Sequence, residues 1–195
     1  MADLELICKK DRNTFSYHQE YEKRIILKNN SLVLVRPLLP SDFSKLSELF
    51  DTFNEDTLHY RYLNNSPFLK ANDLKRIFEA IYGDSLILVA EDLMQENRPL
   101  LGICELFSRQ NEPVIAECAI TVSDKWQGKH LGIQMLEWLI FIAQKRGIRT
   151  ITGSFFIHNP KVASILKKSG YKYEIDHYLN VISFKLFLDK KIQQQ

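Results

Sequence analysis

Ala116-Glu117-Cys118-Ala119-Ile120-Thr121-Val122-Ser123-Asp124-Lys125-Trp126-Gln127-Gly128-Lys129-His130-Leu131-Gly132 decides how the rest of the chain is read. A mostly apolar run carrying one glutamate breaks into a polar turn and passes two glycines. It then enters a long segment with Leu131, Met135, Leu139 and Ile142 along one stripe. Strand, glycine-bearing loop and helix N-terminus, in that order, make an anion site, because unpaired N–H groups and the positive dipole end point the same way. A pyrophosphate needs several N–H donors around it and no intruding side chains. Gly128 and Gly132 permit that, and Lys129 adds a point charge. The plain alternative is a strand-to-helix turn that holds no ligand.

Glu117 is the side chain that stands out in this stretch. Period-two alternation puts Ile115, Glu117, Ala119 and Thr121 on one face of a strand over 114–122. A carboxylate inside an apolar strand is expensive to bury ionised, so such a residue is paired, protonated or functional.

Outward from this core, the flanking segments fall into order. Residues 24–28 and 32–36 flank Asn29-Asn30-Ser31, and asparagine tolerates the positive φ of a tight hairpin. Ser41 and Asp42 are expected to cap a helix carrying Phe43, Leu46, Leu49 and Phe50 at helical spacing. Further helices are expected over 55–63 and over 72–82, the latter capped by Asn72. Strands follow over 86–91 and 100–108, then the strand bounded by Pro113, then a helix over 131–146 closed by Gly147. A strand over 150–157 and a helix over 159–169, with Pro160 at its first position and Gly170 as its stop, come next. Short strands over 171–173 and 181–188 end the pattern.

Composition narrows the class. The chain has 195 residues, 45% of them hydrophobic, and a formal charge of +2, which argues against a dedicated polyanion binder. Residues 1–100 hold 13 Lys/Arg against 16 Asp/Glu, and residues 101–195 hold 13 against 8. The basic half therefore carries the glycine loop, which suits a phosphorylated ligand, although chance clustering of solvated lysines gives the same count. Cys8, Cys104 and Cys118 are few and far apart, which disfavours a disulfide framework or a zinc site. No apolar run is long enough to span a bilayer, and no signal peptide is evident, so a soluble cytoplasmic protein is expected.

This order of elements resembles the GNAT acetyltransferases over residues 21–189. Gln127-Gly128-Lys129-His130-Leu131-Gly132 resembles their acetyl-coenzyme A loop, Gln/Arg-x-x-Gly-x-Gly/Ala, with His130 in the place of the first motif glycine. Val35-Arg36-Pro37-Leu38, Ser41-Asp42 and Ala116-Glu117-Cys118-Ala119 are similar to the GNAT domain of Pat-type bacterial protein-lysine acetyltransferases. The resemblance implies an α+β GNAT fold: a mixed, mostly antiparallel sheet of six to seven strands flanked by helices, over 21–190, after an N-terminal arm over 1–20. It implies acetyl-CoA as co-substrate and no metal.

By the same resemblance, the cofactor is held by Gln127, Gly128, Lys129, His130, Leu131 and Gly132. Its pantetheine arm pairs with the exposed backbone of Ile120, Thr121 and Val122, where the next strand splays away. Asn159 bonds that arm, although its position alone fits a helix N-cap equally well. Glu117 is the general base, taking the proton from the attacking amine. The tyrosine that many relatives use as general acid is Leu166 here, which leaves that role unassigned, while Leu58 and Tyr60-Arg61-Tyr62 line the acceptor mouth. The acceptor is a primary amine, either a protein lysine or a small molecule, with no nucleic acid or membrane partner; the oligomeric state is not specified. The rival reading is a catalytically inactive coenzyme A-binding GNAT module serving as sensor or interaction domain, with His130 and Ile133 as signs of drift.

Overall fold

The computed structural model describes residues 15–62, 69–109 and 111–191. Residues 1–14 of the expected arm, Cys8 among them, lie outside the described residues, as does Leu63. Among the described residues eight strands form one sheet: β1 (Lys23–Ile26), β2 (Leu32–Pro37), β3 (Leu86–Asp92), β4 (Leu100–Arg109), β5 (Glu112–Val122), β6 (Thr150–Phe156), β7 (Tyr171–Tyr178) and β8 (Val181–Lys191). Their order is β1-β2-β3-β4-β5-β6-β8-β7. Every pairing is antiparallel except β5 with β6. Five helices accompany them: α1 (Phe43–Asp51), α2 (Glu55–Tyr62), α3 (Leu69–Ala80), α4 (Leu131–Lys145) and α5 (Pro160–Lys168). This is the expected mixed α+β sheet with one strand more than its upper bound.

Two cores flank the sheet. Leu86, Leu88 and Ala90 of β3 face one side with Met135, Leu139 and Ile142 of α4. Ile87 and Val89 face the other with Leu46, Leu49 and Phe50 of α1 and Ile77 and Phe78 of α3. Burial on both faces explains why β3 is apolar without alternation. Each fully buried Leu, Ile or Met contributes about 1.5–3 kcal/mol, so α4 is fixed firmly enough to hold its N-terminus in place.

Local departures from expectation have physical reasons. Asn30 takes φ 62 in the β1–β2 turn, as asparagine can. Asp42 precedes α1 but does not cap it, because its carboxylate is drawn into a two-pronged pair with buried Arg36 (2.6 and 2.9 Å). Helix α3 starts at Leu69, so Asn72 lies inside it and caps nothing. Pro113 sits within β5 and does not precede it; the proline is accommodated at the strand's start beside a register shift between Ser108 and Arg109. β7 runs on to Tyr178 because the hairpin to β8 turns through Leu179 at φ 52, a conformation that leucine gives no reason to expect.

Candidate active site

β5, α4 and β6 form a β-α-β crossover, the one place in the sheet where neighbouring strands run parallel. Pairing between β5 and β6 covers Ile115–Thr150, Ala116–Ile151 and Glu117–Thr152, then stops. Beyond it the strands diverge: β6 continues against β8 to Phe156, and β5 continues against β4 to Val122. A cavity of about 1000 Å³ occupies the fork. Its walls include Cys118–Val122, Gln127, Gly128, His130–Ile133, Phe155 and Asn159–Val162.

The loop that follows Val122, at the open end of the fork, has the geometry that an anion site needs. Gly128 takes φ +73, and His130 takes φ 69 as the residue before α4. A Cβ on Gly128 would meet nothing within 4 Å, so this glycine serves the backbone turn and not clearance. Gly132 has no such φ, and a Cβ there would meet only Val122 Cγ2 at 3.6 Å and Ile165 Cδ1 at 3.8 Å. An alanine would therefore fit, while a long acidic side chain would enter the cavity. The first N–H groups of α4 have no partners within their own helix.

Gln127 belongs to the scaffold of this loop. Its Nε2 donates to the Val122 carbonyl (3.0 Å) and to Thr57 Oγ1 (3.1 Å), and its Oε1 accepts from Lys161 Nζ at 2.6 Å. Its amide thus ties the end of β5 to α2 on one side and to α5 on the other. Lys129 does not line the cavity; its ammonium lies over the Trp126 ring, 4.4 Å from the centroid.

Asn159 precedes α5 but makes no side-chain cap. The residue is 8% exposed, and its Oδ1 is buried with no hydrogen-bond partner. A buried amide oxygen left unpaired is unfavourable by about 1–3 kcal/mol, so this atom calls for a donor from whatever fills the cavity. The Tyr62 hydroxyl, on α2, is likewise buried without a partner, and burial followed by Asp73 pushes it up to about 12. It stays protonated in the physiological range.

The opposite wall is a buried ion-pair network. Arg61 Nε donates to Asp73 Oδ2 (2.8 Å), Nη1 to Thr121 Oγ1 (2.8 Å) and Nη2 to Glu105 Oε1 (2.6 Å). Arg76 Nη2 bridges Glu105 Oε2 (2.7 Å) and Asp73 Oδ1 (2.5 Å). Two cations meet two anions, so the charge closes. Burial works against the Arg61 charge, but Glu105 and Asp73 outweigh it and hold Arg61 above its ordinary value.

Residues 46–171 match the Acetyltransferase (GNAT) family. The chain belongs to that family. It is 29% identical over 119 residues to an acetyltransferase of Pseudomonas aeruginosa, across 60% of this chain and 62% of that one. It is 25% identical over 138 residues to acetyltransferase Pat of Mycolicibacterium smegmatis, across 70% of this chain and 40% of that one. The chain thus spans less than two thirds of either relative. Its fold matches the GNAT domain of S. lividans PAT with TM-score 0.75 at 20% identity, covering 87% of this chain and 98% of that domain.

In this GNAT protein Glu117 is not buried as the strand pattern predicts. It is exposed, because helical cover of its face thins out there: Arg76 lies over Phe107, the β4 partner of Glu117, and is itself 47% exposed. Glu117 sits instead at the vertex of the fork, in the last residue pair before the strands part. It flanks Cys118 and Ala119 of the cavity wall without lining it. The sheet face beside it is open and polar, with Ser154, Ser183, Lys185, Glu174 and Asp176 exposed.

Glu105, on β4, is fully buried in this GNAT. It is a lone acid in the apolar run Leu100–Phe107, the same signal that singles out Glu117. Its partners Asp73 and Arg76 gave no local sign of their role. The Cys118 thiol is pushed up to about 12 by burial first and then by Glu117 and Glu105, so it packs as a small apolar group. Leu166 is 3% exposed and lines the cavity.

Proposed function

We propose that the fork binds acetyl-coenzyme A and that the chain transfers its acetyl group to a primary amine, a protein lysine or a small amine, by direct attack in a ternary complex. The observation that carries this reading is the buried, unpartnered Asn159 Oδ1 on the wall of a cavity framed by diverging strands and a helix N-terminus. Those residues fit coenzyme A. The backbone of Ile120–Val122 has no strand partner on the β6 side and is open to edge pairing with an amide-bearing arm. Gly128, His130, Leu131 and Gly132 offer N–H groups to a diphosphate. Asn159 Oδ1 accepts from an amide N–H, and Gln127 holds the loop in shape. The bound group supplies an activated thioester.

What this chain adds is position and proton transfer. An acceptor amine reaches the fork from the open sheet face, where Glu117 stands at the vertex. An ammonium must lose a proton before its nitrogen attacks, and the Glu117 carboxylate takes it, directly or through one water. Backbone N–H groups of β5 face the reacting carbonyl and favour charge developing on its oxygen. The rival reading, a coenzyme A-binding module without activity, expects the same left-handed turn at His130, and turnover separates the two.

Two measurements test the reading. Coenzyme A should raise the melting temperature by mass action, and Gly132→Glu should abolish the rise. Free thiol should be released from acetyl-coenzyme A when a lysine-rich protein or a polyamine mixture is present, and not in the absence of acceptor. An unchanged melting curve for the unmutated protein overturns the cofactor; stabilisation without thiol release under any acceptor overturns the enzyme.

A further inference from the structure

Helix α2 touches both arms of the fork. On the β5 side Arg61 reaches Thr121 Oγ1 at 2.8 Å while paired to Glu105 and Asp73. Thr57 Oγ1 adds a bond to Asp124 Oδ1 at 2.8 Å, in the turn that follows β5. On the β6 side the His59 ring stacks on Phe156, with centroids 4.6 Å apart and planes 2° from parallel. The Tyr60 hydroxyl donates to the His158 carbonyl at 3.4 Å. No backbone ladder joins the arms beyond Glu117–Thr152, so these contacts cross a gap that the sheet itself does not close.

The two ends differ in kind. The Arg61 side chain is 4% exposed and sits in a closed set of charges, where losing one partner strands another. The far end includes the ring contacts of His59 and Tyr60 with Phe156 and a long hydrogen bond from Tyr60. We propose that α2 braces the fork and that Arg61 is its fixed end: a positioning residue that sets the spacing between Thr121 on β5 and Phe156 on β6, and with it the placement of the reacting carbonyl against Glu117. This inference rests on the acetyl-transfer reading. Arg61 is on the cavity wall with its guanidinium nitrogens engaged by Asp73, Thr121 and Glu105, so it acts through Thr121 and α2. The diphosphate loop is held by α4 and, through Gln127, by Thr57 one turn before Arg61 on α2, so release of the Arg61 end alone affects turnover more than cofactor affinity.

The test uses Arg61→Lys, which keeps the charge but not the fork that reaches three partners at once. Thr121→Val serves as the second variant, removing only the bond to β5 should the first fail to fold. The kcat of either variant should fall by about 10- to 100-fold, since misplacement by roughly 1 Å has effects of that order. Coenzyme A affinity should stay within about threefold. His59→Ala, at the other end, should also lower kcat, and its loss should not add to that of Arg61→Lys, because both release the same helix.

Amide hydrogen exchange on ligand-free protein supplies a readout independent of activity: each variant should speed exchange in α2 and at Phe156 together. Normal kcat per folded molecule with only a lower melting temperature overturns the proposal, as do additive losses or exchange confined to the mutated end. If the unmutated protein shows no turnover, the acetyl-transfer reading fails, while the exchange pattern still decides whether α2 braces the fork.

Discussion

Glu117 of β5 and Thr152 of β6 are the last residues to face each other before the two strands part. The carboxylate therefore marks the vertex of the fork, beside the residues that form the cavity wall and on the face left open to solvent. Glu105 lies two residues away in register, opposite Ala119, and is fully buried between Arg61 and Arg76. Two acids on one sheet face have opposite surroundings.

That contrast predicts opposite mutational outcomes. Glu105→Gln leaves two guanidinium groups facing one remaining carboxylate and should lower stability by about 3–5 kcal/mol, as removing one partner of a buried pair does. Glu117→Gln, on an exposed site, should change stability by no more than about 0.5 kcal/mol. Urea denaturation of both variants checks this; similar losses in the two would contradict the assignment of one as structural and the other as free for chemistry.

His130 holds φ 69 without being glycine. His130→Gly should stabilise the protein by roughly 0.5–1 kcal/mol by relieving the Cβ crowding of the left-handed region. Coenzyme A should still raise the melting temperature of the variant. A net loss of stability would show that the imidazole makes a contact worth more than the backbone relief.

Alkaline pH should weaken the fold. An ordinary thiol ionises near 9, and burial with the neighbouring carboxylates pushes Cys118 up to about 12. Below pH 9 the thiol is protonated both folded and unfolded, and its contribution is fully present. Above pH 9 the unfolded chain releases its proton first, so stability declines until the folded thiol also ionises. Cys104 is raised in the same direction, chiefly by burial. The unfolding free energy should fall by about 1.4 kcal/mol per pH unit for each such thiol. Cys118→Ala should remove one share of that slope between pH 9 and 10.5; an unaltered slope would contradict the shifted thiol.

How far the sequence announces all this depends on whether a feature is local. The β1–β2 turn is legible because Asn30 is a residue that accepts positive φ, and the glycine loop is legible because Gly128 and the α4 stripe stand side by side in the chain. The full length of β7 is not, since Leu179 in a turn carries no turn signal. The brace and its network join residues 57, 59, 61, 73, 76, 105 and 121, whose convergence is a property of packing. Alternation places Glu117 on the correct face but says nothing about where α3 stops covering that face. Burial was therefore expected at Glu117, while it is realised at Glu105.

The fork is proposed as an acetyl-transfer site with Glu117 as its base. The most direct test compares acetyl transfer by the unmutated protein and by Glu117→Gln at saturating acetyl-coenzyme A, alongside coenzyme A-induced thermal stabilisation of each. Stabilisation should be equal in the two, because the side chain stands apart from the diphosphate loop. Turnover should fall by roughly 10²–10⁴, and less so at high pH, where more of the acceptor amine is already neutral. Turnover of Glu117→Gln equal to that of the unmutated protein would contradict the account and move the search for a base elsewhere on the fork.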